Sequence, residues 1–152
     1  MTSEPPQTGF RQIYYNRSLQ DYWIRRFVAF IIDAVILAIA TWILVAVIAI
    51  VSLGFMWWTN VFAFPFLSGI FWLLYSALLE YFYGYTIGKR IMALKVVTGD
   101  GKRPSLDLAF LRNVTKIYWV LLLLDILIAL AMTGDPTQKY TDRFARTTVV
   151  AA

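Results

Sequence analysis

The sequence predicts an all-α membrane protein with two transmembrane helices, a third apolar helix that either spans or re-enters, and a short cytoplasmic β-hairpin-like loop. Three observations predict this class. Of 152 residues, 60% are hydrophobic and 15% charged, and mean hydropathy is +0.64, outside the balance of a soluble domain. Apolar runs lie at about 27–52, 62–79 and 114–132, and about 18 such residues suffice to cross a hydrocarbon core of ~30 Å as a helix. Between the second and third runs the pattern changes to β-branched residues around strong turn formers.

Residues 1–20 read as a polar tail and 21–150 as the membrane domain. The opening "MTSEPPQTGFRQIYYNRSLQDYW" lacks the basic n-region, short apolar core and cleavage site of a signal peptide, so the first helix is expected to stay in the mature chain. Ser18 followed by Asp21 predicts a capping arrangement at the entry to that helix, with Trp23 at headgroup depth. The first span ends before "SLGFMWWTN", where Trp57 and Trp58 predict an aromatic belt. The turn Ser52–Asn60 carries no Lys or Arg, whereas Arg11, Arg17, Arg25 and Arg26 precede the first span, and Lys89, Arg90, Lys95, Lys102, Arg103 and Arg112 follow the second. Positive charge marks the cytoplasmic side. The first two helices therefore form a hairpin with the amino end and the central loop in the cytoplasm of a multi-pass cell-membrane protein. Pro65 is placed in the first turn of the second helix, where its missing N–H matters little.

The central segment "GYTIGKRIMALKVVTGDGKRPSLDL" predicts a strand at "LKVV" and a tight turn at "TGDG". Pro104 blocks strand continuation and Ser105 is a good N-cap. A helix from Leu106 then runs through Arg112 and Lys116 into the third apolar run and stops near "TGDP". The tail "TQKYTDRFARTTVV" ends in a β-branched stretch able to pair with "LKVV". A full third span would place Lys139, Arg143 and Arg146 outside, while charge and strand pairing both place them inside. A re-entrant or strongly tilted third segment reconciles these, since non-helical backbone at membrane depth is allowed where protein buries it; its nineteen residues also suffice to cross.

A formal charge of +5 suggests an anionic partner, but the basic residues flank apolar helices, and lipid headgroups are the expected contact, not nucleic acid. With no Cys and no His, disulfide, thiol and zinc chemistry are excluded, as is the commonest proton switch near neutral pH. "GYTIGKR" fails the phosphate-loop pattern, because three residues separate Gly84 from Gly88 and Arg90 follows Lys89. The two glycines suit a tight exit from the membrane or a close approach to a neighbour. No nucleophile–base–orienter trio or metal-ligand cluster is present, so neither an enzyme nor a cofactor is expected.

Chemistry concentrates on acids inside apolar runs. A central Asp in a span costs roughly 2.5–3.5 kcal/mol, which neighbouring Leu, Ile, Val and Phe, each worth about 0.3–0.6, offset without explaining it. Asp33 shares a helix face with Arg26, Ala29, Leu37 and Ala40. Seven residues separate it from Arg26, about 10 Å along the axis, too far for direct contact, and Ala29 and Ala40 would let another helix approach. Asp33 is then either a polar anchor between helices or an ion or proton site. Glu80, with Ser76, Leu73 and Gly69, forms a stripe expected to face the first helix, and Asp125 sits centrally in "LLLLDILIAL". Acids on three helices can line a polar path of proton-relay or cation type.

Taken together, the arginine heading the first span, the aspartate within it, "GYTIGKRIMALKVVTGDGKRPS", "LRN" and "QKYTDRFARTTVV" resemble the RDD family of small membrane proteins over about residues 20–150. That family is named for one arginine and two aspartates, and the resemblance implies Arg26, Asp33 and Asp142 in those places. It also points to Gly84, Thr86, Gly88, Lys89, Arg112, Asn113 and Thr147. Where relatives often read Ala-Gly-Thr, this chain has Ala145, Arg146 and Thr147, and it has none of the prolines that often break the third run. Sodium–proton exchange has been attributed to some members, so the resemblance implies cation or proton-coupled transport with a possible monovalent cation. Three helices are few for alternating access, and a homo-oligomer or larger membrane complex is expected. The other reading is a non-catalytic accessory subunit or assembly factor that docks a partner through the basic loop.

Overall fold

A computed structural model describes residues 8–51 and 57–152, with side chains at all of these except 48–51, 57–65 and 119. Of the expected turn at Ser52–Asn60, residues 52–56 fall outside the described residues and 57–60 are helical, and the side chains of the expected Trp57–Trp58 belt also fall outside the description. A short helix, α1 (Gly9–Tyr15), forms within the segment read as a polar tail, and α2 (Arg17–Val51) follows it. Asn16, not Ser18, caps α2: its Oδ1 accepts from the Ser18 amide at 3.1 Å and the Ser18 hydroxyl at 2.7 Å. An Asn side chain one residue before the helix reaches free amides that a Ser inside the first turn cannot. At 1.5 Å per residue α2 is roughly 50 Å long, and most of its apolar side chains are exposed in the single chain, as befits a helix solvated by lipid.

The second long helix, α3, spans Trp57–Tyr83, so Pro65 lies inside it and not in its first turn; membrane helices tolerate this because neighbouring groups re-satisfy the freed carbonyl. Helices α2 and α3 are both long and apolar enough to cross a membrane. Gly84, at φ +83°, turns the chain out of α3. Next come α4 (Ile87–Ile91) and β1 (Leu94–Thr98). The "TGDG" turn forms as expected, with the Thr98 amide donating to the Lys102 carbonyl at 2.9 Å. The partner of β1 is the one that the β-branched tail suggested. It is the tail strand β2 (Thr147–Ala151), paired antiparallel from Leu94 with Ala151 to Thr98 with Thr147. Leu94, Val96 and Val149 close with Ala29 into a small core, edged by Tyr22 and Met92.

Helix α5 (Leu106–Asn113) starts after Ser105 as predicted but does not run on into the third apolar stretch. A 3-10 turn at Val114–Ile117 leads to Tyr118 in extended conformation, and only then does α6 (Trp119–Ala131) begin, bent 111° away. Thirteen residues give α6 about 20 Å of length, short of the ~30 Å core. Both ends of this segment return to the end of the molecule where α2 begins. On one side α5 follows β1. On the other, Thr133 bridges to Thr8 and the Pro136 carbonyl accepts from Trp23 Nε1 at 2.9 Å. The third segment thus breaks at Tyr118 without a proline, with the geometry of a broken span or a re-entrant loop. A last helix, α7 (Tyr140–Phe144), joins it to β2.

Candidate functional site

Asp33 is 3% exposed and carries three donors: the Tyr75 hydroxyl at 2.8 Å, the Thr86 hydroxyl at 2.6 Å and the Gly88 amide at 2.8 Å. The Gly88 amide is one of the free N–H groups at the start of α4, so a carboxylate of α2 caps a helix that follows α3. Gly88 permits this contact, since a Cβ there would overlap the carbonyl oxygen of Ala29. The small residue at position 29 therefore receives α4, not a neighbouring span. Ala40, assigned the same role, is exposed.

A second group extends from α3. Glu80, fully buried, accepts from Lys89 Nζ and from Asn113 Nδ2 at 2.7 Å, with Arg112 Nε at 3.4 Å. The stripe Gly69, Leu73, Ser76 and Glu80 is buried as expected, but it faces α5 and the 3-10 turn and not α2. A Cβ on Gly69 would meet the Ile117 backbone, and Ser76 Oγ accepts from Lys116 at 2.8 Å. The broken third segment has taken the place that a simple hairpin would leave to the first helix.

Arg112 joins this group to a third. Its Nη2 lies 3.0 Å from Asp142 Oδ1, while Arg26 Nη2 donates to Asp142 Oδ2 at 2.9 Å. Arg26 also donates to the Thr137 carbonyl at 2.7 Å and packs over the Trp23 ring, 5.0 Å from its centroid. Arg26, Asp142, Arg112, Glu80 and Lys89 thus form a continuous chain of ion pairs from α2 through α7 and α5 to α3 and α4. Burial by itself pushes the Asp142 carboxyl up, and the Arg112, Lys139 and Arg26 cations outweigh it, holding the group down at about 2. Thr147, fully buried, sets its hydroxyl 3.4 Å from the Asp142 carbonyl. Asp125 lies to one side of the chain, accepting from Lys139 at 2.9 Å, the Thr141 amide and hydroxyl at 2.7 Å each, and Thr115 at 3.1 Å. Lys139 connects it back to the Arg112 carbonyl at 2.5 Å.

A model of the RDD family matches residues 22–146. The chain belongs to the RDD family. Its match takes in Arg26, Asp33 and Asp142, and it ends at Arg146, the residue standing where the resemblance implies glycine. No curated protein and no solved structure matches this RDD chain.

Asp33 and Arg26 do not touch. Arg26 is bound to Asp142, and Asp33 to the α4 entry. The residues that sequence reasoning missed are the partners: Tyr75, Lys139, Thr141 and Thr115, together with Lys116, which donates to the Ser76 already placed on the Glu80 stripe. Tyr75 carried a usable signal, because a phenol inside an apolar run needs an acceptor and Asp33 was the nearest candidate in a facing helix. Lys139 carried none, since nothing local distinguishes it from the other basic residues of the tail.

Proposed function

We propose that this RDD protein is a non-catalytic membrane module, an accessory subunit or assembly factor, whose buried charges fix its shape and whose basic face docks a partner. The observation that carries this reading is that its buried carboxylates are already engaged by protein donors and cations. Asp33, Glu80 and Asp125 each accept from at least two donors, and Asp142 accepts from Arg26 and lies 3.0 Å from Arg112 in an ion pair. A carboxylate that alternates between a proton and a cation needs coordination positions that these donors occupy. Two further features support docking. Arg11, Arg17, Arg25, Arg90, Lys102, Arg103 and Arg146 are exposed, a cytoplasmic face by the charge rule. The apolar flanks of α2 and α3 are also largely uncovered, so a homo-oligomer or a larger membrane complex fits as well as lipid does.

Proton-coupled cation transport, with Asp33 as ion or proton site, is the competing reading, and one pair of measurements separates them. Native purification is expected to recover the protein in a defined oligomer or with a stoichiometric partner, and the purified protein in proteoliposomes is expected to carry no sodium-dependent proton flux. Asp33→Asn would then act on stability alone, because an amide NH2 placed against three donors leaves buried groups unsatisfied at about 1–3 kcal/mol. Flux from the isolated protein that vanishes in a folded Asp33→Asn variant would replace the module with the transporter.

A further inference from the structure

We propose that the cavity at the α5–α6 break binds the phosphate headgroup of an anionic phospholipid, with Lys116 as its counter-ion. The cavity measures about 390 Å³ and opens between α2, α3 and the broken third segment, with Phe30, Trp72, Lys116, Tyr118 and Leu122 in its lining. Four cations of the polar interior, the buried Arg112 and Lys139 and the partly buried Arg26 and Lys89, each meet a carboxylate. Lys116 does not. Its hydrogen bond goes to the neutral Ser76 hydroxyl. Trp72 brings a second unmet donor, for its indole Nε1 is buried without an acceptor. An ammonium and an N–H drawn out of water without an anion are unfavourable, and one phosphate would accept from both.

The rest of the lining selects the source of that phosphate. Phe30 stacks on Trp72 at 4.7 Å between centroids, and Tyr118 and Leu122 continue an apolar wall. Outside it, Leu121 and Leu124 of α6 are exposed. Inorganic phosphate makes no use of such a wall, whereas a glycerol backbone and acyl chain do. A monovalent cation would be repelled by Lys116. The break at Tyr118 is what creates the site: a straight helix from Leu106 to Ala131 would leave no crevice beside Gly69.

The test is thermal unfolding of the full chain in a neutral detergent, with added phosphatidylglycerol, phosphatidylcholine or inorganic phosphate. Phosphatidylglycerol is expected to raise the midpoint by several degrees, and the other two to leave it in place. Lys116→Met should lower the midpoint of the lipid-free protein only slightly, because it removes one hydrogen bond to Ser76 and no ion pair, and should lose the response to phosphatidylglycerol. Leu122→Trp, which fills the cavity but keeps the charge, should lose it too. Lys102→Gln, on the exposed loop, should retain it. An equal rise with phosphatidylcholine, a rise with phosphate alone, or an undiminished response in either cavity variant would overturn the proposal. Should Lys116→Met fail to fold, Leu122→Trp decides.

Discussion

Arg146 sits at φ +49°, in the left-handed region that costs a residue with a Cβ roughly 1 kcal/mol or more. The chain needs that geometry to turn from α7 into β2. A glycine adopts it freely, which gives a physical reason for the Ala-Gly-Thr pattern implied by the family resemblance. Arg146→Gly is expected to stabilise the protein by about 0.5–1 kcal/mol, read as a higher unfolding midpoint in detergent. Asp142, three residues from the turn's start, makes the opposite kind of contribution. Its folded value of about 2 lies below the ordinary 3.8, so its ion pairs stabilise the fold fully above pH 4. That stability, on the order of 2 kcal/mol, is lost as pH falls from about 4 to 2. A titration of the unfolding midpoint over that window checks it, and Asp142→Asn should flatten this part of the curve while lowering the midpoint, because Arg26 and Arg112 lose their shared partner.

Among the elements, α4 is the one most dependent on others. Five residues cannot form a stable helix alone, so α4 exists because Thr86 caps it, Asp33 binds its Gly88 amide and its backbone lies against Ala29. Gly88→Ala is expected to cost about 1–3 kcal/mol through overpacking against a carbonyl that cannot move out of its helix. Hydrogen exchange at residues 87–91 should then accelerate ahead of exchange in α3, whereas uniform acceleration would mean that α4 is no separate unit. The two strands teach the same lesson in reverse. "LKVV" and "TTVV" were legible as complementary stretches because β-branched alternation is local, and they pair with each other. The pairing closes a long loop because the bend at Tyr118 brings the tail back.

For the whole molecule, the buried charges act as a clasp in which the tail, the central segment and both long helices each supply a member. Truncating the chain before Thr147 would therefore remove β2 and loosen Asp142 as well. Since β1 pairs with β2, the central loop and the carboxyl end must lie on one side of the bilayer. The chain contains no cysteine, so Asp100→Cys and Ala152→Cys can each be labelled without background. Both are expected to react with a membrane-impermeant maleimide from the cytoplasmic side and from no other. Labelling from opposite faces would require the third segment to cross outright and would undo the pairing.

The amino-acid sequence alone determined the two long helices, the placement of "GYTIGKR" outside them, the strand-forming stretches and the acids worth watching. Each follows from hydropathy, charge beside apolar runs, or turn chemistry within a few residues. Tertiary structure alone decided that the third segment folds back at Tyr118, that the Glu80 stripe faces that segment, and that Arg26 reaches Asp142 while Asp33 caps α4. Those choices rest on which buried donor finds which acceptor across more than a hundred residues in the case of Arg26 and Asp142. A buried charge must find a partner, but nothing in its local neighbourhood names it.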